Sequence, residues 1–362
     1  MIINATNIGE KLTGIGRYSL SVCSYLLENW DYPFKLYINQ QAAIHFKELK
    51  KLDKIITTSK FMSPDAGFKG QIYRTFWSNV WSLKNRKELI FNTSPIESSA
   101  FHKKQIVTFH DVIPLLFPSY HKKQYLLYTN ICPMILKNAV RIIAVSQNTK
   151  NLISDIYKIP EEKITVIYNG ISESFSQCEP DYDKENYILY VGRGSPMKNI
   201  DGLIKAFEIL ITRHKLDIKL KLLGKGIKIN SSLPEHIAKR IEKIEYIDNE
   251  SELIAIYKKA LLLALVSFHE GFGIPPIEAM ACGCPTIVSN ISSLPEVCGD
   301  ASCYVDPHDI ENIAERMNNI ICDENLRKKL IEKGLHRAKT FSWENSAKQH
   351  IKVFEEVINT ME

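Results

Sequence analysis

The 362-residue sequence predicts an α/β protein made of two Rossmann-like domains whose parallel sheets face a central cleft. Three observations carry that prediction. Short β-rich runs alternate with longer stretches of helical period, the pattern of right-handed βαβ units. Several runs, such as Ala260–Val266, are near-continuously apolar, as in strands covered on both faces of a parallel sheet. The length suits about two domains, and a composition of 45% hydrophobic and 24% charged residues is that of a globular protein.

In the first half the strand candidates are MIINAT (1–6), KLYIN (35–39), ELIFNTS (88–94), QIVTFHD (105–111), RIIAVSQ (141–147) and ITVIYNG (164–170). In the second half they are YILYVGRG (187–194), LKLLGKG (220–226), IEYID (244–248), LLLALVS (261–267), PTIVSN (285–290) and SCYVDP (302–307). A polar run at 172–187, with Pro180 inside it, parts the two series. The expected division is a first domain at 1–176, a linker at 177–186, a second domain at 187–343 and a terminal helix at 344–362. Residues 68–87 place Ile72, Phe76, Val80 and Leu83 at helical spacing, beside Trp77, Trp81 and several cations. That segment fits an interfacial helix docking on a membrane. The plainer expectation is an amphipathic helix packing those positions on its own sheet.

Net charge is +5 and uneven: residues 1–180 carry 22 Lys and Arg against 14 Asp and Glu, residues 181–362 carry 24 against 27. The basic first half suits an anionic partner, a phospholipid surface or a lipid diphosphate, or it is a solvated lysine-rich face. No nucleic-acid partner is expected. The longest apolar run is far shorter than a membrane span. The opening MIINATNIGE has neither a basic n-region nor a long apolar run, so a cytoplasmic protein is expected, with peripheral membrane association as an extension of the docking reading. None of the eight cysteines forms a CxxC pair, and Cys282-x-Cys284 lacks partners at zinc spacing. Reduced thiols and no metal site are expected.

In such sheets ligands bind beyond the carboxyl ends of the strands, so the loops there hold the candidate site. After the first strand, GIGRYS offers Gly14 and Gly16, where a backbone could approach a phosphate or sugar. Ser19 stands where a dinucleotide fingerprint needs its third glycine, so a nicotinamide site is not supported. VTFHDVIP puts His110 and Asp111 at a strand end: either a cleft-facing histidine with an orienting Asp, or a satisfied histidine beside a helix cap. GRGSPMKN places Arg193 and Lys198 before a helix, an arrangement suited to a diphosphate. The Asp181-x-Asp183 pair imitates a metal motif but precedes a strand.

The most informative stretch is SFHEGFGIPPIEAMACGCP (267–285). Glu270 follows a buried strand in a loop with Gly271, Phe272 and Gly273. Pro275 and Pro276 suit a first helical turn, where a missing N–H is harmless. The helix N-terminus is expected to offer free N–H groups as an anion seat, with Glu278 in its first turn. A dipole-complementing role explains Glu278 but not Glu270.

With seven residues between Glu270 and Glu278, this stretch resembles the acidic signature of retaining GT-B glycosyltransferases of family 4. GIGRYS, FHDVIPLLFP, AVSQNTKNLI, VIYNGI, YVGRGSPMKNIDGLIKAF, LLGKG, SSLPEVCGDASCYVDPHD and FSWENSA resemble that family in the same order, over nearly the whole chain. The flavour is that of bacterial mannosyltransferases building O-antigen or exopolysaccharide. The resemblance implies that Glu270 holds hydroxyls of the transferred sugar, aided by backbone amides at 271–273, and that Glu278 binds the nucleotide ribose. It implies a diphosphate clamp of Arg193 and Lys198, Gly14 and Gly16 on the phosphate and acceptor side, and His110 near the sugar. It also implies that the terminal helix packs back toward the first domain. Two departures stand out. Met197 occupies the position next to the lysine where family members often carry Arg, and some relatives place one more residue between the clamp Arg and Lys.

The implied reaction is metal-independent transfer of a hexose with retention, from a nucleotide sugar that is substrate rather than cofactor. Mannose from GDP-mannose is the expected donor, with a lipid-diphosphate-linked oligosaccharide as acceptor. The alternatives are a UDP-sugar donor (UDP-glucose, UDP-galactose or UDP-GlcNAc) and a non-catalytic sugar-nucleotide-binding partner. Base contacts are expected from backbone near LLGKGIKI and IEYIDN.

Overall fold

The alternating pattern folds into two sheets in which every paired strand is parallel to its neighbours. The structure is a computed structural model and describes residues 1–361 except 50, 230–232 and 248. It forms two units, Met1–Gly170 with Trp343–Glu362, and Ile171–Ser342.

In the first unit the strands are β1 (Ile2–Asn4), β2 (Lys35–Asn39), β3 (Ile55–Thr58), β4 (Ile90–Asn92), β5 (Gln105–Phe109), β6 (Arg141–Ala144) and β7 (Ile164–Val166), in the order β3-β2-β1-β4-β5-β6-β7. In the second they are β8 (Glu185–Val191), β9 (Lys219–Leu223), β10 (Ile241–Ile244), β11 (Ala260–Leu265), β12 (Thr286–Ser289) and β13 (Cys303–Val305), in the order β10-β9-β8-β11-β12-β13. Each order reverses direction once, between β1 and β4 and between β8 and β11. Those reversals are the switch points where a doubly wound sheet opens a crevice at its strand ends.

The apolar and near-apolar runs are buried as expected: all six residues of β11 and all five of β5, Gln105 and Thr108 included, lie out of solvent. Alternate side chains point to opposite faces of a strand. In β5 and β6, Ile106 and Ile143 join one core cluster, while Val107, Phe109, Ile142 and Ala144 join another. The half-exposed edge strand β3 has no continuous apolar run to announce it. β10 ends at Ile244, where the expected strand began, and Asp248 of that expected run lies outside the described residues.

The division between units falls at Gly170/Ile171, ahead of the expected linker. Ile171 bridges to Ser342, and Phe175 packs edge-on against Tyr257 at 6.0 Å. Further along, the Lys184 ammonium donates to the carbonyls of Lys258 (2.6 Å) and Gly283 (2.8 Å). Polar residues in this run are thus spent on anchoring it to the second unit.

The terminal helix Trp343–Met361 lies in the first unit against the helix Gly14–Asn29, burying Val353, Phe354 and Val357 among Val22, Leu26 and Leu27. A buried polar lock joins the two. His350 donates from Nδ1 to the Ser346 carbonyl (2.7 Å), which leaves Nε2 to accept from the Tyr18 hydroxyl (2.7 Å). Thr108 then donates to the Tyr18 oxygen, also at 2.7 Å.

The helix over 68–87 is present as Gly67–Lys84, but its polarity is opposite to the plainer expectation. Ile72, Phe76, Val80 and Leu83 are exposed, and the buried face is Gln71, Arg74, Ser78 and Ser82. The reason is a polar network waiting beneath. Arg74 Nε donates to Glu97 Oε1 (2.8 Å) and Arg74 Nη1 to the Met62 carbonyl (2.6 Å). Ser82 donates to Ser99 (2.8 Å) and Thr75 to the Ile96 carbonyl (3.2 Å). Buried polar groups demand partners, and here the partners dictate which face turns inward.

Candidate active site

The second unit gathers its polar side chains at the β8/β11 switch point. The loop after β8 carries Lys198 in a short 3-10 turn, Pro196–Lys198, and the loop after β11 carries Glu270. The Lys198 ammonium donates to both Glu270 carboxylate oxygens at 2.6 Å. The side chains are mostly buried, 20% exposed for Lys198 and 9% for Glu270. Ser267, the residue preceding Phe268 at the strand end, donates to Glu270 Oε1 (2.8 Å). The backbone of the loop is fixed as firmly. The Glu270 amide donates to Ser292 Oγ (3.1 Å), and the Ser293 hydroxyl lies within reach of the carbonyls of Glu270 (3.0 Å) and Phe272 (2.9 Å). The Phe268 amide donates to the Met197 carbonyl (2.8 Å), which ties the two loops together directly.

Two glycines make this geometry attainable. Gly273 has φ +94°, and a Cβ there would lie 2.7 Å from Leu294 Cδ2. Gly224, in the loop after β9, has φ +151°, and its Cβ would fall 1.7 Å from the Gly192 carbonyl oxygen. Any side chain at Gly224 would collide with backbone, and at Gly273 the left-handed backbone would strain one. The close approach lets Gly192 donate to Leu223 (2.9 Å) and Gly194 to Lys225 (3.0 Å).

The helix after the loop spans Ile274–Ala281 and alters two expectations. Pro275 and Pro276 occupy its second and third positions, so Ile274 alone of the first three carries an N–H. The expected seat of free amides is reduced, and Lys198 is the positive charge actually brought to Glu270. Glu278 is the fifth residue of the helix, just past the first turn where it was expected. It is buried and accepts from the Tyr257 hydroxyl at 2.8 Å, so dipole complementation is not its explanation.

Arg193 is exposed and forms no ion pair among the described residues; its carbonyl accepts from the Tyr190 hydroxyl (3.0 Å). His269 is buried, its Nε2 has no hydrogen-bond partner among the described residues, and burial pushes its imidazole down to about 4, against the pull of Glu270. Asp181 and Asp183 lie 3.0 Å and 3.6 Å from Lys259, which accounts for the metal-like pair. Among the described residues no cluster of metal-ligating side chains occurs.

In the first unit, the strand-end residues form a second polar group. His110 Nε2 donates to the Thr93 carbonyl (2.8 Å), and its ring meets Tyr18 edge-on at 4.7 Å. Burial pushes His110 down to about 4. Asp111 accepts from the Ile113 amide (3.0 Å) at the start of the short helix Ile113–Leu116. Thr93 donates to Asn7 Oδ1 (3.1 Å). Gly14 and Gly16 sit in the first turn of a helix rather than in a loop, where Thr13 caps the Gly16 amide (3.1 Å). Neither has positive φ, so no unusual backbone conformation calls for glycine there.

Sequence reasoning missed Ser267, Ser292, Ser293 and Tyr257. The serines lie inside stretches that stood out for other reasons. Tyr257 carried no signal, since its partner Glu278 lies on a different helix.

Residues 172–337 match the family model described as glycosyl transferases group 1, and residues 72–175 match glycosyltransferase family 4. The O-antigen chain mannosyltransferase B of Escherichia coli is 30% identical, over 98% of this chain and 99% of that protein. The O-antigen chain mannosyltransferase RfbU of Salmonella typhimurium is 29% identical, over 88% and 90%. Among solved structures, Anabaena HepE in complex with UDP and glucose is 16% identical with a TM-score of 0.72, covering 98% of this chain and 100% of that one.

Proposed function

Because this chain belongs to the family 4 glycosyltransferases and has their two-domain GT-B fold, we propose that it transfers mannose from GDP-mannose onto a surface oligosaccharide with retention of anomeric configuration. The observation that carries the reading is the Lys198–Glu270 pair at the β8/β11 switch point. The mannosyl donor is taken from the E. coli and S. typhimurium relatives.

The pair suits this chemistry for an electrostatic reason. A buried carboxylate repels an incoming diphosphate unless a cation stands between them. Lys198 neutralises Glu270 before the donor arrives and, as a flexible point charge, can turn toward a phosphate oxygen. Glu270 then accepts from sugar hydroxyls, with Ser267 holding its other face. Glu278, oriented by Tyr257, would accept from the ribose. Arg193, exposed and unpaired, completes the clamp when donor binds. His110, held neutral, would be a hydrogen-bonding group near the transferred sugar, and Gly14 and Gly16, close in sequence to its ring partner Tyr18, would line the phosphate and acceptor side.

In the reaction the bond between the anomeric carbon and the diphosphate oxygen breaks, and the electron pair leaves with the nucleoside diphosphate. The acceptor oxygen forms the new bond from the same face, and its proton passes to a donor phosphate oxygen. Lys198 and Arg193 stabilise the charge growing on the leaving group without a metal ion. No cofactor is needed, since the nucleotide sugar is consumed as substrate. The acceptor would be lipid-diphosphate-linked, and the enzyme would work on the cytoplasmic face of the membrane.

A panel of sugar nucleotides in a thermal-shift assay tests the donor, because a ligand that binds only the folded state raises its stability. GDP-mannose should give the largest shift and support turnover by the purified chain in excess EDTA. A larger shift with a UDP-sugar would reassign the donor. Binding without turnover would point to a non-catalytic partner, and a strict divalent-metal requirement would sink the clamp.

A further inference from the structure

We propose that the outward face of the helix Gly67–Lys84 is a docking surface for an anionic lipid bilayer. This deepens the reading of a lipid-linked acceptor, yet it stands on its own observation: the helix is amphipathic inside out. Phe76 is 68% exposed, Ile72 54%, and Val80 and Leu83 44% each. These four lie at i, i+4, i+8 and i+11, one stripe of a helix. Helices of globular proteins turn such a stripe inward. Here the inward face is polar and its partners are supplied by the protein. Arg74 pairs with Glu97, Ser82 with Ser99, and Ser78 faces Asn4 at 3.4 Å. The helix is therefore held by hydrogen bonds, an ion pair and the packing of Trp77 and Trp81 against Tyr37, and its apolar stripe is left over.

Neighbouring segments extend the stripe. The Lys123 ammonium sits 4.4 Å from the centroid of the Phe68 ring, which sets the helix Lys122–Asn130 alongside, with Tyr125 and Leu126 exposed. At the other end, the Ala100 amide donates to Asn79 (2.9 Å), so the loop that follows Ser99 brings in the exposed Phe101. A contiguous apolar patch of this kind marks an interaction site.

Charge selects the occupant. No Asp or Glu occurs between Asp65 and Glu88, and Asp111 is the sole acidic residue between Glu97 and Asp155. Exposed Lys69, Lys84, Arg86 and Lys87 flank the stripe from its own segment. Lys103, Lys122 and Lys123 flank it from the adjoining ones. Aromatic and aliphatic side chains ringed by cations, with acids excluded, match an interface of acyl chains beneath anionic headgroups.

The test is co-sedimentation of the full chain with vesicles of phosphatidylcholine alone or containing about 30% phosphatidylglycerol. Binding should require the anionic lipid and weaken with salt. The double variant Ile72→Ser/Phe76→Ser should bind at least about tenfold more weakly, as should Lys84→Glu/Arg86→Glu/Lys87→Glu, since apolar burial and charge attraction both contribute. Both variants should keep the wild-type melting temperature and full transfer to a soluble acceptor glycoside, which separates this surface from the donor site. Absence of wild-type binding to anionic vesicles, or undiminished binding by both variants, overturns the proposal. So does a concentration-dependent dimer that the Ile72→Ser/Phe76→Ser change abolishes, because the stripe would then be covered by a second copy.

Discussion

Each unit buries a carboxylate just past the strand across its switch point, and the two are built for different ends. Glu97 follows β4 and Glu270 follows β11. Each accepts from a cationic side chain and a serine: Arg74 and Ser94 for Glu97, Lys198 and Ser267 for Glu270. The difference lies in the cation and its access. The Arg74 guanidinium is forked between Glu97 and a backbone carbonyl, and neither side chain is more than 5% exposed. Lys198 is a compact charge on a flexible stem, a fifth exposed, and among the described residues it donates to the Glu270 carboxylate alone. A forked, sealed pair holds structure; a single swinging cation beside a glycine-lined loop can be shared with a ligand.

Breaking the sealed pair should have the largest effect, and on stability. Burial pushes the Glu97 carboxyl above its ordinary range, while Arg74 and Ser94 oppose that push. Glu97→Ala leaves a buried guanidinium without its anion and should lower stability by about 3–5 kcal/mol, read by denaturant titration. A Glu97→Leu/Arg74→Leu double variant should recover part of that loss, since no lone charge remains. If Glu97→Ala melts like the wild type, the pair is not structural and the contrast fails.

Breaking the accessible pair should instead strike activity. Glu270→Ala and Lys198→Ala should each remove about 3–4 kcal/mol of transition-state stabilisation, a loss of hundreds-fold in kcat/KM. Glu270→Ala should retain a native circular dichroism spectrum. Full transfer by that variant would end the assignment of this pair to the donor.

The same contrast explains what the amino-acid sequence made legible. The βαβ order, the continuously apolar strands and the Glu270 loop are local patterns, visible as alternation, glycines and prolines in a row. Glu270 was visible because no structural need of a strand-end loop calls for an acid between a buried strand and a glycine. The pairing with Lys198, 72 residues away, was not visible, because it depends on two loops meeting at a switch point. The inverted helix Gly67–Lys84 failed for the same reason. Its period was clear, but which face turns inward was settled by Glu97 and Ser99, residues beyond the helix. For Glu278 the sequence offers a dipole-complementing position and, through the family resemblance, a ribose-binding role, but not its hydroxyl partner Tyr257, which comes from a neighbouring helix.

A smaller effect should appear in the pH dependence of stability. Burial lowers His110 and His350 in the first unit, and His269 in the second, each to about 4. An unfolded histidine titrates near 6.5. Between those values the unfolded chain binds more protons, so stability is full above about 6.5 and declines as pH falls toward 4. Each histidine contributes a slope of about 1.4 kcal/mol per pH unit in that window. His350→Gln should flatten the profile of melting temperature against pH. A melting temperature unchanged from neutral to acid would mean that these rings are not held neutral, and the polar lock at Tyr18 would need another account.

The smallest effect tests whether Glu278 belongs with the sealed or the shared carboxylate. It accepts from a neutral hydroxyl, that of Tyr257, at 2.8 Å. Tyr257→Phe removes that hydroxyl and leaves the ring that packs against Phe175. A structural Glu278 would register the change as lost stability of about 1 kcal/mol, with donor kinetics untouched. A ribose-binding Glu278 that loses this orienting hydroxyl should raise KM for the donor about fivefold, with kcat little changed, since ribose contacts are made equally in ground and transition states. The split between KM and melting temperature decides the matter, and a pure stability effect would move Glu278 out of the donor site and beside Glu97.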